Sequence, residues 1–544
     1  MSPLADDAWW RGGIIYQIYP RSFLDASGDG VGDLEGILRR LDHVAGLGVD
    51  AVWISPFFRS PMQDFGYDVA DYRAVDPMFG SLETFDRVLA EAHRLGLRVL
   101  IDQVPSHTSD QHPWFLESRA SRDNPRADWY VWVDPKPDGM PPNNWLSVFG
   151  GSAWQWDSVR CQYYLHNFLA SQPDLNYHNP AVQDAMLAEM RFWLERGVDG
   201  FRLDAINFCF HDAALRDNPP RAGRAAATTV SGPENPYSWQ VHVYDKSRPE
   251  MIGWLRHIRS LAREFGDAVL MGEIGDERGP ELMAEYTAGG ERLHMAYSFD
   301  LLTERGDAAY LRERVEGTVR ALGENGYACW SIGNHDVPRV VTRWGRGAPP
   351  EKVAPLYLAL LLSLPGAACL YQGDELGLPE ADLTYEDLRD PYGIRFWPRF
   401  RGRDGCRTPM PWAADPPGAG FTTGRPWLPI PEAHRPLAVD RQAGVPGSVL
   451  EACRAFIAWR RGYPALRHGA ARFHEAPPGV LLLERHVPGE RLLAAFNLTA
   501  SPAQVPLPGP VAALAGNGFG GRLVGGAVEL EGHDAFFGRI LGRG

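Results

Sequence analysis

The sequence predicts an α/β protein built on a (β/α)8 barrel, with a subdomain inserted after the third strand and a C-terminal β-sandwich domain. Three observations carry this. Eight apolar runs of strand length recur over the first 370 or so residues, helical patterns separate several of them, and one long Pro-, Trp-, Asn- and Gly-rich stretch interrupts the series after the third run. Repeated strand-then-helix units form a parallel sheet with helices outside, and eight such units close into a barrel.

In chain order the strand runs begin at Gly13 (GIIYQIYP), Val49 (VDAVWISPFF), Leu97 (LRVLIDQVPSH), Val198 (VDGFRLDA), Ala268 (AVLMGEIGD), Met295 (MAYSFD), Ala328 (ACWSIGNHD) and Ala367 (AACLYQGDEL). Helical periodicity follows the first three, in LEGILRRLDHVAGLG, LETFDRVLAEAHRLG and VQDAMLAEMRFWLERG. The third connection, 104–179, is too long for an ordinary loop and reads as an inserted subdomain B overhanging the barrel mouth. Residues 1–103 and 180–462 then make the barrel, with a second irregular stretch at about 377–446 and a helix near Leu450–Arg461. The tail, 463–544, carries short β-like runs such as VLLLERHV and RLLAAFNLT between Pro and Gly, the pattern of an all-β sandwich.

The totals narrow the function. A chain of 544 residues exceeds what one hydrophobic core serves, in keeping with a large domain plus attachments. The net charge of −14 is spread along the chain, which argues against a nucleic-acid partner and suits a neutral substrate. Met1 to Arg11 lacks the basic start and apolar stretch of a secretion signal, and no apolar run approaches the roughly 20 residues of a membrane helix. A cytoplasmic protein without a membrane partner is expected. The six cysteines show neither close pairing nor zinc-type spacing and read as free, mostly buried thiols. The 18 Trp suit a saccharide cleft, although an aromatic-rich core is the commoner reason for them.

The chemistry lies where strands end, at the C-terminal face of a barrel. Asp102 ends the third run, Asp204 the fourth and Glu273 the fifth, and Asp336 follows the seventh in NHD. One acid after a strand can simply cap the next helix. Four at one rim point to acetal cleavage, where one carboxyl group attacks or stabilises the cationic sugar and another protonates the departing oxygen. Arg202, two residues before Asp204, projects the same way and favours its ionised form. Repulsion from Asp204 and Asp336 raises the proton affinity of Glu273, which makes it the general acid. Asp336 is expected to bind sugar hydroxyls, and His107 and His335 to donate hydrogen bonds to the same sugar. Near the start, DASGDGVGD places oxygen ligands at alternate positions with Gly for the turns, as a hard cation requires, although a solvated acidic turn reads the same way and Gly36 stands where an EF-hand has its bidentate Glu.

The stretches IYQIYPRSF, GYDVADY, DQVPSH, GFRLDA, GEIGD, QPDLN, IGNHDVPR and RTPMPW resemble glycoside hydrolase family thirteen, the α-amylase superfamily, on its bacterial α-glucosidase and oligo-α-glucosidase branch. The resemblance implies Asp204 as nucleophile, Glu273 as acid/base and Asp336 as transition-state stabiliser. It implies that Tyr67, His107, Phe168, Arg202 and His335 line the first sugar subsite, and that Asp64 with Arg407 grips the far hydroxyls of a terminal glucose, making the enzyme exo-acting. No organic cofactor is implied. A structural Ca²⁺ or Mg²⁺ is, at Asp25, Ser27, Asp29, the Val31 carbonyl and Asp33; a second calcium site of some amylases is not, because Ser106 stands where they have Asn. Relatives that cut α-1,6 bonds tend to carry Val after the nucleophile, so Ala205 points to α-1,4 bonds of the maltose type. The expected activity is a retaining α-glucosidase on short oligosaccharides, with possible transglucosylation; the alternatives are an oligo-1,6-glucosidase, or a transferase or isomerase acting on sucrose- or trehalose-type sugars.

Overall fold

The computed structural model describes residues 8–222 and 231–542. The expectation for the extreme N-terminus therefore falls mostly outside the described residues, as does 223–230 within the connection after the fourth strand. Eight parallel strands form the central sheet: β1 (Ile14–Ile18), β2 (Ala51–Ile54), β3 (Arg98–Gln103), β4 (Gly200–Leu203), β5 (Val269–Ile274), β6 (Met295–Ser298), β7 (Cys329–Ser331) and β8 (Ala367–Tyr371). Each pairs with its neighbours in sequence, β1 also pairs with β8, and a parallel bridge between Ala296 and Ala328 joins β6 to β7, so the sheet closes on itself. The predicted barrel is present.

Strand alternation sorts the side chains. Tyr16, Ile18, Val52, Ile54, Val99, Ile101, Phe201, Leu203 and Leu270 face outward and pack in the main core with helix residues such as Leu41, Val44, Phe85, Val88, Trp193 and Trp254. The opposite phase fills the barrel with Ile15, Ala51, Trp53, Leu100, Val269, Met271, Met295, Cys329 and Cys369, and Trp10 joins this cluster. Further up the same inward phase the residues turn polar: Asp102, Arg202, Glu273 and Tyr297. A dry lower barrel thus supports a charged upper one.

The helices start and stop where local chemistry dictates. Asp33 caps the helix Leu34–Leu47 by accepting from the Gly36 N–H at 2.6 Å. Ser81 and Asn179 do the same for Leu82–Arg94 and Pro180–Arg196. The last of these ends at Gly197, whose φ of 103° a side chain would disfavour.

After β3 the chain forms a three-stranded antiparallel sheet, Trp132–Val133, Gln162–Leu165 and Trp154–Asp157, over its own small core of Val131, Trp145, Ala153, Trp154 and Leu165. A hairpin of Phe58–Arg59 and Asp71–Val75, which the sequence reading did not anticipate, follows β2 and carries Asp64 and Tyr67 in its tip. The C-terminal region is a five-stranded and a three-stranded antiparallel sheet enclosing Val480, Leu482, Leu493, Val505, Val528 and Phe536. Leu481, Leu483, Phe496 and Phe537, on the other face of the larger sheet, belong to the core shared with the barrel helices. Both faces of that sheet are buried along most of its strands Val480–Val487 and Glu490–Asn497. No helix among the described residues is long and apolar enough to cross a membrane.

Candidate active site

Arg202 organises the barrel mouth. It is fully buried, and its Nη1 lies 2.8 Å from Asp102 Oδ1 and 2.5 Å from Asp204 Oδ1, while Nη2 lies 2.5 Å from Glu273 Oε1. Register explains the meeting: on neighbouring strands Asp102 is level with Arg202, and Glu273 with Tyr297. The Tyr297 hydroxyl donates to Glu273 Oε1 at 2.9 Å and accepts from Arg202 Nη2 at 2.9 Å, and the guanidinium lies 4.8 Å from the centre of the Trp53 ring. One guanidinium's width therefore separates the facing oxygens of Asp204 and Glu273. Ala205, immediately after Asp204, is held at φ 41° and its N–H donates to Glu273 Oε2 at 3.0 Å. This left-handed residue bends the chain so that the strand end bearing one acid hydrogen-bonds the other.

Asp336 sits opposite with a different set of partners. Its Oδ1 is 3.0 Å from Arg407 Nη2 and 3.2 Å from Arg403 Nη1. His335 stacks on Tyr67 with ring centres 5.3 Å apart, and its Nε2 is 2.6 Å from the Tyr67 hydroxyl, which donates to Asp102 Oδ2 at 3.0 Å. Gln17 Nε2 lies 2.8 Å from His335 Nδ1, so this ring is neutral and accepts there. His107 Nε2 is 3.0 Å from the Tyr67 carbonyl oxygen and its Nδ1 is 3.0 Å from Ser106 Oγ; in this structure it braces the Tyr67 loop.

The expected pairing of Asp64 with Arg407 is corrected. Asp64 Oδ1 meets Arg403 Nη2 at 2.8 Å, and the same nitrogen reaches Asp390 Oδ1 at 2.8 Å. Arg407 instead binds Asp336 and the His335 carbonyl, the latter at 2.6 Å. Two arginines four residues apart offer no sequence signal that selects one; the turn at Asp404–Cys406 points Arg403 to Asp64. Gln172 completes the group by donating to Asp64 Oδ2 at 3.1 Å. Phe168 packs against His107, Phe208 and Phe149. Tyr297, Asp390 and Gln172 were missed as site residues; the inward phase of MAYSFD pointed to Tyr297 and the motif QPDLN contains Gln172, while nothing in the sequence singled out Asp390.

These side chains surround a cavity of about 560 Å³. Its polar wall comprises Asp64, Tyr67, Asp204, Glu273, His335, Asp336 and Arg403, and its apolar wall Phe149, Phe168, Phe208, Phe299, Tyr392 and Phe400. A few converging polar groups against aromatic walls are the usual form of a small-ligand site.

Burial is the largest influence on both Asp204 and Glu273 and raises both above the ordinary carboxylate range, with Arg202 opposing. Mutual repulsion, including that of Asp336, adds to the rise on Glu273. The sequence reading named repulsion and overlooked burial. Burial also acts on Asp336, but the guanidinium groups of Arg403, Arg407 and Arg202 outweigh it and hold this carboxyl well below the usual range. Burial thus favours retention of a proton by the Arg202-linked pair while Asp336 stays charged; acid-assisted displacement needs that proton on Glu273, with Asp204 ionised.

The Asp25–Asp33 loop has an oxygen-only donor set, as suits a hard cation. Asp25 already accepts from Ser27 Oγ at 3.0 Å, Gly28 N at 2.7 Å, Gly30 N at 2.7 Å and Thr422 Oγ1 at 2.5 Å, which occupies the four lone-pair sites of a carboxylate. Asp33 is engaged as the helix cap and by Ala26 N and Ser27 N, and no group of three or more potential ligand side chains from His, Cys, Asp or Glu converges among the described residues. A cation fits only if the Ser27 hydroxyl lets go of Asp25 and turns to ligate.

A family model for the catalytic domain of α-amylase matches residues 17–469. The chain belongs to the α-amylase family of glycoside hydrolases. It is 55% identical to a probable α-glucosidase of Rhizobium meliloti (strain 1021) over 539 residues, 98% of each chain. It is 36% identical to an oligo-1,6-glucosidase of Heyndrickxia coagulans, covering 90% of this chain and 92% of the relative. Among solved structures it resembles an α-glucosyl transfer enzyme, XgtA, with a TM-score of 0.96 and 57% identity over 98% of this chain and 99% of the other. The branch implied by the motifs agrees with these relatives.

Proposed function

We propose that this glycoside hydrolase is a retaining, exo-acting α-glucosidase that removes terminal glucose from short α-1,4-linked sugars. The observation that carries the reading is the single guanidinium of Arg202 touching both Asp204 and Glu273, a spacing suited to the roughly 5–5.5 Å of retaining enzymes rather than the wider gap that holds a water. Asp204 attacks the anomeric carbon and Glu273 gives its proton to the departing oxygen. Water, deprotonated by Glu273, then cleaves the glucosyl ester. Asp336, held ionised, binds hydroxyls of the distorting ring. The Asp64–Arg403 ion pair, anchored by Asp390 and Gln172, supports recognition of the far end of a terminal glucose. The small side chain of Ala205 supports the α-1,4 preference.

A second reading has its own observation. The aromatic wall from Phe149 to Phe400 disfavours water and suits an organic acceptor, so transfer of glucose to a hydroxyl competes with hydrolysis, in keeping with the glucosyl-transferring relative. Initial rates on maltose, isomaltose, sucrose, trehalose and maltotriose, with products and their anomers identified, test both. The reading requires α-glucose from maltose and a lower rate on isomaltose; β-glucose as first product refutes the mechanism, and an equal or higher isomaltose rate refutes the linkage.

A structural divalent cation held by Asp25, Ser27, Asp29, the Val31 carbonyl and Asp33 is part of this proposal. It would tie the turn before the first barrel helix and take no part in catalysis. Calcium should raise the melting temperature and a chelator lower it, with kcat unchanged; no thermal response to either removes the site. An intracellular, reducing setting fits the six free thiols, five of them buried.

A further inference from the structure

The long connection after β4 returns to the barrel rim at Asp245–Ser247, and there it grips the turns that follow both reacting acids. Lys246 is 3% exposed, and its ammonium donates to the Gly275 carbonyl at 2.7 Å, beside the rings of Phe208 and Tyr237. Ser247, strained at φ 53°, donates through its hydroxyl to Asp276 Oδ2 at 2.6 Å and through its N–H to the Asn207 carbonyl at 2.6 Å. Asn207 in turn accepts from Gly275 N at 3.2 Å and donates to Gly275 O at 3.3 Å. Gly275 lies two residues past Glu273, and Asn207 three past Asp204. Behind the segment, His242 bridges Asp245 at 2.5 Å and the Tyr237 carbonyl at 2.8 Å.

Burying an ammonium is costly, and an apolar side chain would fill the same space without that cost. Burial lowers the proton affinity of Lys246, and Asp276, Asp245 and Glu277 push it back up. Lys246 does not line the cavity. Its charge is directed at one backbone oxygen, and a charge-assisted bond holds that oxygen more firmly than the longer bond from Asn207.

We infer that Lys246, with Ser247, is a positioning residue that fixes the acid/base Glu273 relative to Asp204 through Gly275 and Asn207. This rests on the assignment of Glu273 made above. Without Lys246 the Gly275 carbonyl is left to Asn207 alone, and Glu273 loses alignment with the departing oxygen while the nucleophile keeps its strand. The effect should depend on the leaving group. A positioned general acid contributes about 10²–10⁴-fold and a misplacement near 1 Å costs about 10²-fold, so partial misalignment should cost about tenfold where protonation is needed.

The test is kcat/KM of the full chain on maltose and on α-glucosyl fluoride, whose leaving group departs with little protonation. Lys246→Met should lower kcat/KM on maltose about tenfold or more and leave that on the fluoride within about twofold. Ser247→Ala should show the same selectivity, more weakly, and decides alone if the Met variant does not fold. Equal losses on both substrates, or no loss on maltose, overturn the inference. Glu273→Gln measured alongside separates the two assignments. If it too loses both substrates equally, Glu273 is not the acid; if it is selective and the loop variants are not, only the role of Lys246 fails.

Discussion

Replacing Tyr297 by Phe removes one hydroxyl that joins the acid to its guanidinium. That hydroxyl donates to Glu273 Oε1 at 2.9 Å and accepts from Arg202 Nη2 at 2.9 Å and Nε at 3.2 Å. A hydrogen bond to a carboxylate stabilises its ionised form, so the native enzyme holds Glu273 lower than burial alone would. Without the bond Glu273 keeps its proton to higher pH. Glycosylation requires protonated Glu273, so activity falls as pH rises through its pKa, and this basic limb should move upward. A bond to a charged group is worth about 1.5–3 kcal/mol and one pH unit corresponds to about 1.4 kcal/mol, which sets the shift at about one to two units. Two Arg202 N–H groups also lose an acceptor, so stability should drop by about 1–3 kcal/mol, read as a lower melting temperature. The assay is the pH dependence of kcat/KM on maltose for both enzymes at constant ionic strength. An unmoved basic limb, or one displaced downward, would refute the coupling of Tyr297 to the acid.

Three further outcomes follow from the same geometry. Asp204→Asn should lower turnover of 4-nitrophenyl α-glucoside by about a thousandfold or more, since an amide neither attacks nor leaves as a carboxylate does. Arg403→Met, which strips a buried guanidinium from Asp64, Asp390 and Asp336, should raise KM for maltose at least about tenfold and destabilise the fold by about 3–5 kcal/mol in denaturant titration; a normal KM would show that Asp64 does not need this partner. Ala205→Val places a β-branched side chain at φ 41°, so it should lower the melting temperature while raising the isomaltose-to-maltose rate ratio; a stable variant with an unchanged ratio would dissociate Ala205 from linkage preference.

The barrel was legible because its signal is local and repeated. Period-2 alternation within the eight runs already separates residues such as Ile15 and Trp53, inside, from Tyr16 and Val52, outside, and it places Arg202 and Asp204 on one face. The motifs carried the family and most of the acids at the rim. The sequence by itself thus determined the barrel, the inserted and C-terminal β regions, and the identity of the rim carboxylates, because each depends on neighbours within one strand or turn. Only the tertiary structure decided which arginine meets Asp64, that Tyr297 joins Glu273, and that Lys246 reaches Gly275 from a distant loop. It also decided that burial, ahead of repulsion, raises the reacting pair. Such facts depend on strand register, loop return and exclusion of water, which arise only when residues far apart in the chain are brought together.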